Sequence, residues 1–220
     1  MKFDFSTQGD IFVEALFQTL YIVSVALGVG GLVGLVLGLT LYLTRKGGLK
    51  ANPWVFTVLN LVINFFRPIP FIVFVAAIGP LTLQVIGSSI GTEAFIFPAA
   101  IMVSMASARL VEQSLVQIDP GVVEAARAMG ASTFQIIRTV LIPEALTPLI
   151  LGYTFLFVAT TDMSALAGIV SGGGLGAFAL SYGYQRFDWA ITWITVLVIV
   201  VLVQSVQFLG NWLACKVQHR

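Results

Sequence analysis

Residues 15–44 read ALFQTLYIVSVALGVGGLVGLVLGLTLYLT, thirty consecutive positions without a charge. Crossing the hydrocarbon core of a bilayer takes ~20 apolar residues, so this run is long enough to be a membrane span. Within it Ala26, Gly30, Gly34 and Gly38 recur at every fourth position. A ladder of small side chains on one helix face lets a second helix approach closely. The spacing leaves open whether that helix belongs to the same chain or to a second copy; packing inside one subunit is the favoured reading.

The rest of the chain has the same character. It has 220 residues, is 58% apolar and only 10% charged, with a mean hydropathy of +0.99. Soluble domains carry roughly 25% charged residues, so the composition describes an all-α polytopic membrane protein. Working outward from the first span, the runs 51–66 and 68–92 are interrupted only by Arg67. They predict a second span over about 55–78, kinked or broken by Pro68 and Pro70, which lack backbone donors. A Gly/Ser-rich turn is expected over 79–92, a third span over about 94–115, a fourth over about 145–168 and a last one over 189–215. The uncharged stretch 163–185 holds glycines at 168, 172, 173, 174, 176 and 183. That makes it a poor helix, so irregular backbone is expected there, at the membrane surface or lining a cavity.

Charge placement separates five spans from six. With five, one side receives Arg45, Lys46, Lys50, Arg109, Arg127, Arg138, Lys216 and Arg220, and the other receives Lys2 and Arg186. Basic residues accumulate in cytoplasmic loops, so five spans with the N-terminus out and the C-terminus in is the expected topology. It places the charged loop at about 116–144 in the cytoplasm. Asp4, Asp10 and Glu14 stand where a signal peptide needs a basic segment. Arg67, beside two prolines, reads as a structural base that holds freed carbonyls or an acidic partner at the cytoplasmic end of span two, or that snorkels to the interface.

Several function classes drop out. One cysteine, Cys215, cannot form an intramolecular disulfide, and with one histidine, His219, it cannot build a zinc, haem or iron–sulfur site. Residues 87–91 match a G-x-S-x-G nucleophile elbow, but the only histidine is placed at the opposite membrane face, and the match reads as an outer turn. No phosphate-binding G-x-x-x-x-G-K-[ST] loop occurs. If the chain's work is driven by ATP, a separate polypeptide binds the nucleotide.

The loop itself is structured. Asp119-Pro120 is a helix start, with Asp as N-cap and Pro at the first helical position. The helix runs through Glu124, Ala125, Ala126, Arg127 and Met129, and Gly130 stops it in a left-handed conformation. Ser132 to Gln135 is a capping-box signature for a second helix, whose apolar face is Ile136, Ile137, Val140 and Leu141. Pro143 then bends the chain toward the fourth span. Two short helices meet at an angle, with small alanines at the corner and Glu124 and Arg127 as a charged edge. On these grounds the corner is either a docking element or an ordinary pair of surface helices.

Glu124-Ala125-Ala126, Gly130 and Val140-Leu141-Ile142-Pro143 resemble the EAA motif of ABC-importer permeases: Glu-Ala-Ala, three residues, Gly, nine residues, Ile, one residue, Leu-Pro. Val140 and Ile142 replace the Ile and Leu conservatively. Arg67 to Phe71, Gly87 to Gly91, Ser164 to Gly168, Gly172 to Gly176 and Tyr182 to Phe187 are similar to the methionine-importer permease subfamily. The resemblance covers nearly the whole chain. It implies a single permease domain over 1–220 of the ABC type I importer kind, a homodimer, and two cytoplasmic ABC ATPases docked on the two loops, which are then coupling elements. It also implies a substrate-binding lipoprotein that contacts loops 79–93 and 169–188 outside a bacterial inner membrane. ATP and Mg²⁺ sit on the partner, no cofactor is bound by this chain, and no nucleic acid is involved. The cargo is methionine or another small amino acid or hydrophobic compound; an ATP-independent channel is the rival from a different class.

Two departures from that subfamily matter. Pro68 stands where Ser is usual, and Asp162-Met163 where an uncharged pair such as Gly-Tyr is expected. Asp162 is the sole acidic residue deep in the fourth span. A carboxylate there either lines the pathway and favours a substrate amino group or marks an earlier, wet end of the span. With Met163, Ser164 and Leu166 it falls in the segment that the resemblance makes the gate at the dimer axis; for Met163 and Leu166 taken singly, packing or lipid contact is the competing reading.

Overall fold

The computed structural model describes residues 5–170 and 172–218, and every regular element among them is helical. Helix α1 spans Phe5–Thr44, α2 Pro53–Phe66, α3 Phe71–Ile86 and α4 Thr92–Val116. Two short helices, α5 (Pro120–Ala128) and α6 (Thr133–Ile136), precede α7 (Ile142–Ser164); α8 (Gly174–Phe178) and α9 (Trp189–Gln218) close the chain. Four helical runs are long and apolar enough to cross a membrane: α1, α4, 133–168 and α9. Their hydroxyls bond back to the preceding turn, as when Thr40 Oγ1 donates to the Val36 carbonyl and Thr44 Oγ1 to that of Thr40, both at 2.7 Å. Hydroxyl side chains thus enter the spans with their donors paired, whereas the buried Nε of Arg109 in α4 has no partner among the described residues.

The centre of the subunit is the α1–α4 contact. A Cβ placed on Gly30 would lie 2.5 Å from the Ala100 carbonyl oxygen, one on Gly34 2.6 Å from that of Ser104, and one on Gly38 2.7 Å from the Val111 Cβ. The glycine ladder is therefore covered by α4 of the same chain, and Ala26 continues it against Phe95, Ile96 and Ala99. Residue numbers rise together along both helices, so α1 and α4 run parallel. The chain between them must return to the starting end, and α2 with α3 makes that return.

The return is broken. The α2 and α3 axes meet at 113° across residues 67–70, where Pro70 caps α3 and its carbonyl accepts from the N–H groups of Val73 and Phe74 at 3.0 Å. The break expected at Pro68 and Pro70 is present, and the helical run on its two sides covers 53–86 rather than about 55–78. The turn expected over 79–92 shrinks to 87–91, because α3 continues through Gly79 and Pro80 to Ile86; a long apolar run overrides two weak helix formers, since propensity is only a weak prior.

Segment 163–185 is more helical than its glycines suggest. A 3₁₀ turn over Ala165–Val170, α8 and a π turn over Ala179–Gly183 follow one another, with Leu175 and Phe178 buried. Side chains of α1 supply what the local sequence lacks. The Gly174 N–H donates to Gln18 Oε1 at 2.9 Å and the Leu175 N–H to Thr19 Oγ1 at 2.8 Å. Gly173 and Gly174 adopt φ +73° and +90°, which only glycine takes without strain.

Candidate coupling surface and pathway residues

At the other end of the bundle, Asp119 Oδ1 accepts from the Gly121 N–H at 2.8 Å and starts α5. The helix closes when the Met129 N–H donates to Ala125 and the Ala131 N–H reaches back to Ala126. Gly130 sits at φ +83°. The capping box is complete: the Gln135 N–H donates to Ser132 Oγ at 3.3 Å and the Ser132 N–H to Gln135 Oε1 at 2.7 Å. The corner is built from local hydrogen-bond chemistry at each step.

Its inner face is held by packing. Val123 and Ala126 of α5 join Ile136 and Leu141 in one apolar cluster with Tyr42 of α1, Val111 and Leu115 of α4 and Ala145 of α7. Ala126 thus points inward, whereas Glu124, Ala125, Arg127, Met129 and Gly130 are exposed. Glu124 and Arg127 form no ion pair with each other; they line a cleft with Arg45 and Tyr42. Met129 is 81% and Phe134 69% exposed, so the two largest apolar side chains on the corner's surface project from it, while Val122 of α5 is partly exposed. Phe134 was not expected, because it lies off the Ile136–Ile137–Val140–Leu141 face; its signal was an unpaired aromatic at the second position of a capped helix. An exposed apolar pair rimmed by charge is the composition of a protein-docking surface.

The helix continues through Pro143 without a break. A π turn over Ile137–Leu141 widens the helix ahead of it, with the Ile142 N–H donating to Ile137, and Pro143 occupies the first turn of α7, where no donor is needed. The corner's second helix therefore continues into the span as one run over 133–168. Arg109, inside the third span expected over about 94–115, lies in α4 and donates to Asn60 and Asn64 of α2.

The four residues named near the outer gate have different surroundings. Asp162 is exposed, Met163 is half-buried, and Ser164 is buried with its hydroxyl donating to the Thr161 carbonyl at 2.6 Å. Leu166 packs against the cluster of Ile22, Phe95 and Ala167 inside the subunit. Arg67 is the C-cap of α2, exposed at the α2–α3 break, and has no side-chain partner among the described residues. Pro68 falls within the same break.

Residues 17–219 match the family model of the binding-protein-dependent transport system inner membrane component. The chain is 43% identical, over 98% of its length and 96% of the relative's, to the probable D-methionine transport system permease protein MetI of Vibrio cholerae. It is 37% identical to the methionine import system permease protein MetP of Bacillus subtilis, over 82% of this chain and 81% of that one. Among solved structures, a chain of the inward-facing MetNI methionine ABC transporter superposes with a TM-score of 0.91 at 35% identity, covering 96% of this chain and 97% of its own.

Proposed function

The chain belongs to the binding-protein-dependent transport system inner membrane component family, and on that premise we propose that it is the permease subunit of an ATP-driven importer for methionine or a closely similar amino acid. The near full-length likeness to methionine permeases carries the reading of substrate. The exposed corner at α5 and α6 is consistent with a separate ATPase as the motor. The subunit crosses a bacterial cytoplasmic membrane five times, N-terminus out and C-terminus in, as one permease domain. The parallel α1 and α4, the returning α2–α3 pair and the basic residues Arg45, Lys46, Lys50, Arg127, Arg138 and Lys216 near the corner support that topology.

Two copies form the pathway, two ATPases dock on the corners, and a substrate-binding lipoprotein delivers the cargo at the end that carries α8. Nucleotide and Mg²⁺ are held by the ATPases. Glu124, Ala125, Arg127, Met129 and Gly130 meet the ATPase, while Ala126 keeps α5 seated on the spans. Asp162 and Met163 belong to the outer gate. ATP shifts the inward–outward equilibrium only by its differential affinity for the two states, so the corner must present a different surface to the ATPase in each.

The deciding experiment is uptake of labelled methionine by proteoliposomes that contain the permease, its ATPase and its binding protein. Uptake is expected only with ATP, and Glu124→Lys is expected to abolish it. Uptake without nucleotide returns the chain to the channel class; ATP-driven uptake of a different amino acid corrects the substrate alone.

A further inference from the structure

Arg109 and Glu112 form an ion pair within α4, the sole one among the described residues, with side chains only 16% and 10% exposed. The guanidinium reaches further. Its Nη2 donates to Asn60 Oδ1 and to Asn64 Oδ1, both at 2.7 Å, and Asn64 Nδ2 donates to Asn60 Oδ1 at 3.2 Å. Four polar side chains therefore close a network between α4 and α2. At 1.5 Å per residue, Asn60 and Asn64 lie ~12 and ~18 Å along α2 from its cap at Asn52, with Asn60 half-buried and Asn64 exposed on the subunit's surface. Ionisable groups within a membrane span are expensive and mark function.

The network sits at one particular joint. Ile63 is the single fully buried residue of α2, packed on Leu41 and Ala108 with Phe56 and Leu59 partly buried beside it; most of the helix is otherwise exposed, and Arg109 is its polar tie to the subunit. On the other side, Arg109 shares α4 with Val111 and Leu115, which pack against Val123, Ala126 and Ile136 of the corner. One unbroken series of contacts thus leads from the docking surface through α4 and Arg109 to α2, the near half of the broken span. An arginine suits this place because its planar fork presents several donors at once, where a lysine is a single point of charge.

We propose that Arg109 is a positioning residue, a strut that makes α2 move with the coupling corner, so that displacement of the corner by the ATPase is delivered to the break between Phe66 and Phe71. The inference rests on the reading of the chain as an ATP-driven permease. Glu112 holds the guanidinium in place, and Asn60 and Asn64 are the receiving end.

The test uses the assembled complex in proteoliposomes, with uptake and ATP hydrolysis measured together. Asn60→Leu combined with Asn64→Leu removes both acceptors at similar volume. Hydrolysis is expected to persist while uptake per ATP falls about tenfold, inside the range that coupling energies span; Asn60→Asp, which keeps an acceptor, is expected to retain coupling. Equal loss of uptake and hydrolysis, or unchanged uptake per ATP, overturns the strut. A distance measurement covers the case in which the double variant does not assemble. Spin labels at Leu61→Cys and Val122→Cys, in a Cys215→Ser background with Arg109 intact, are expected to keep one separation with and without ATP. A separation that changes with nucleotide overturns the proposal. Absence of ATP-driven uptake by the wild-type complex would instead remove the functional reading on which it rests.

Discussion

Gly34→Ala and Gly28→Ala make the same chemical change on the same helix, and the structure assigns them opposite outcomes. Each gains roughly 1 kcal/mol of helix propensity over glycine. At Gly28 the added methyl meets nothing within 4 Å. At Gly34 it would stand 2.6 Å from the Ser104 carbonyl oxygen and 2.7 Å from Ser107 Oγ, where ordinary contact begins at 3.4 Å. A carbonyl in mid-helix cannot rotate away. Ser107 is equally fixed, because its hydroxyl donates to Tyr153 Oη at 3.0 Å while that phenol donates to the Gly31 carbonyl at 2.7 Å. Relief must come from separating α1 from α4, and overpacking of this kind costs about 1–3 kcal/mol.

The propensity gain is common to both variants, so the difference between them isolates the packing term. For a chain of this size a kilocalorie moves Tm by roughly 2–4 °C. Gly34→Ala is therefore expected to melt roughly 2–12 °C below Gly28→Ala in the same detergent, followed by the fluorescence of the four tryptophans. Equal melting temperatures, or a more stable Gly34→Ala, would refute the claim that the ladder is filled by α4 of the same subunit.

Met129→Asp and Phe134→Asp are each expected to weaken ATPase capture by tenfold or more, as loss of an apolar hot spot does, with the permease fold intact; co-purification and circular dichroism read the two quantities separately. Asp162→Asn is expected to shift uptake toward substrates that lack a free amino group, and unchanged competition by methionine analogues would remove Asp162 from the pathway. Thr19→Val is expected to destabilise more than Gln18→Ala. The first leaves the Leu175 N–H unpaired at a fully buried site, about 1–3 kcal/mol, whereas Gln18 borders an open cleft where water can replace it; hydrogen exchange over 172–178 distinguishes them.

Legibility in the sequence followed the range of the interactions. The caps of α5 and α6 and the stop at Gly130 depend on neighbours within five residues, and they were read correctly. The glycine ladder announced a close helix contact, but its partner lies about seventy residues away and its parallel direction has no local signature. The break at 67–70 was visible in two prolines; its angle is set by how α3 packs on α4, through Phe71 against Phe95 at 5.4 Å among other contacts. Segment 163–185 was misjudged because the groups that make it helical, Gln18 and Thr19, stand 156 residues upstream of their partners. The partners of Arg109 escape a sequence reading for the same reason: nothing near it in the chain declares that Asn60 and Asn64 will receive it.

The two ends of the bundle are held by different physics, and that difference bears on how the subunit can move. The end around α8 is tied by directional bonds across elements. Besides the Gln18 and Thr19 contacts, the Gly91 N–H donates to the Val170 carbonyl at 2.8 Å and Thr92 Oγ1 to the Gly172 carbonyl at 2.9 Å. Sliding any of these segments leaves a backbone group unpaired, which is expensive once buried. The corner end is joined by an apolar cluster drawn from α1, α4, α5, α6 and α7. Apolar burial is non-directional and survives small rotations that a hydrogen-bonded joint resists. A push on α5 therefore meets its stiffest resistance at the α8 end, and the helices between are free to pivot about that end rather than translate past it. Among them α2 has the least apolar anchorage, so whether it follows the pivot depends on the guanidinium of Arg109.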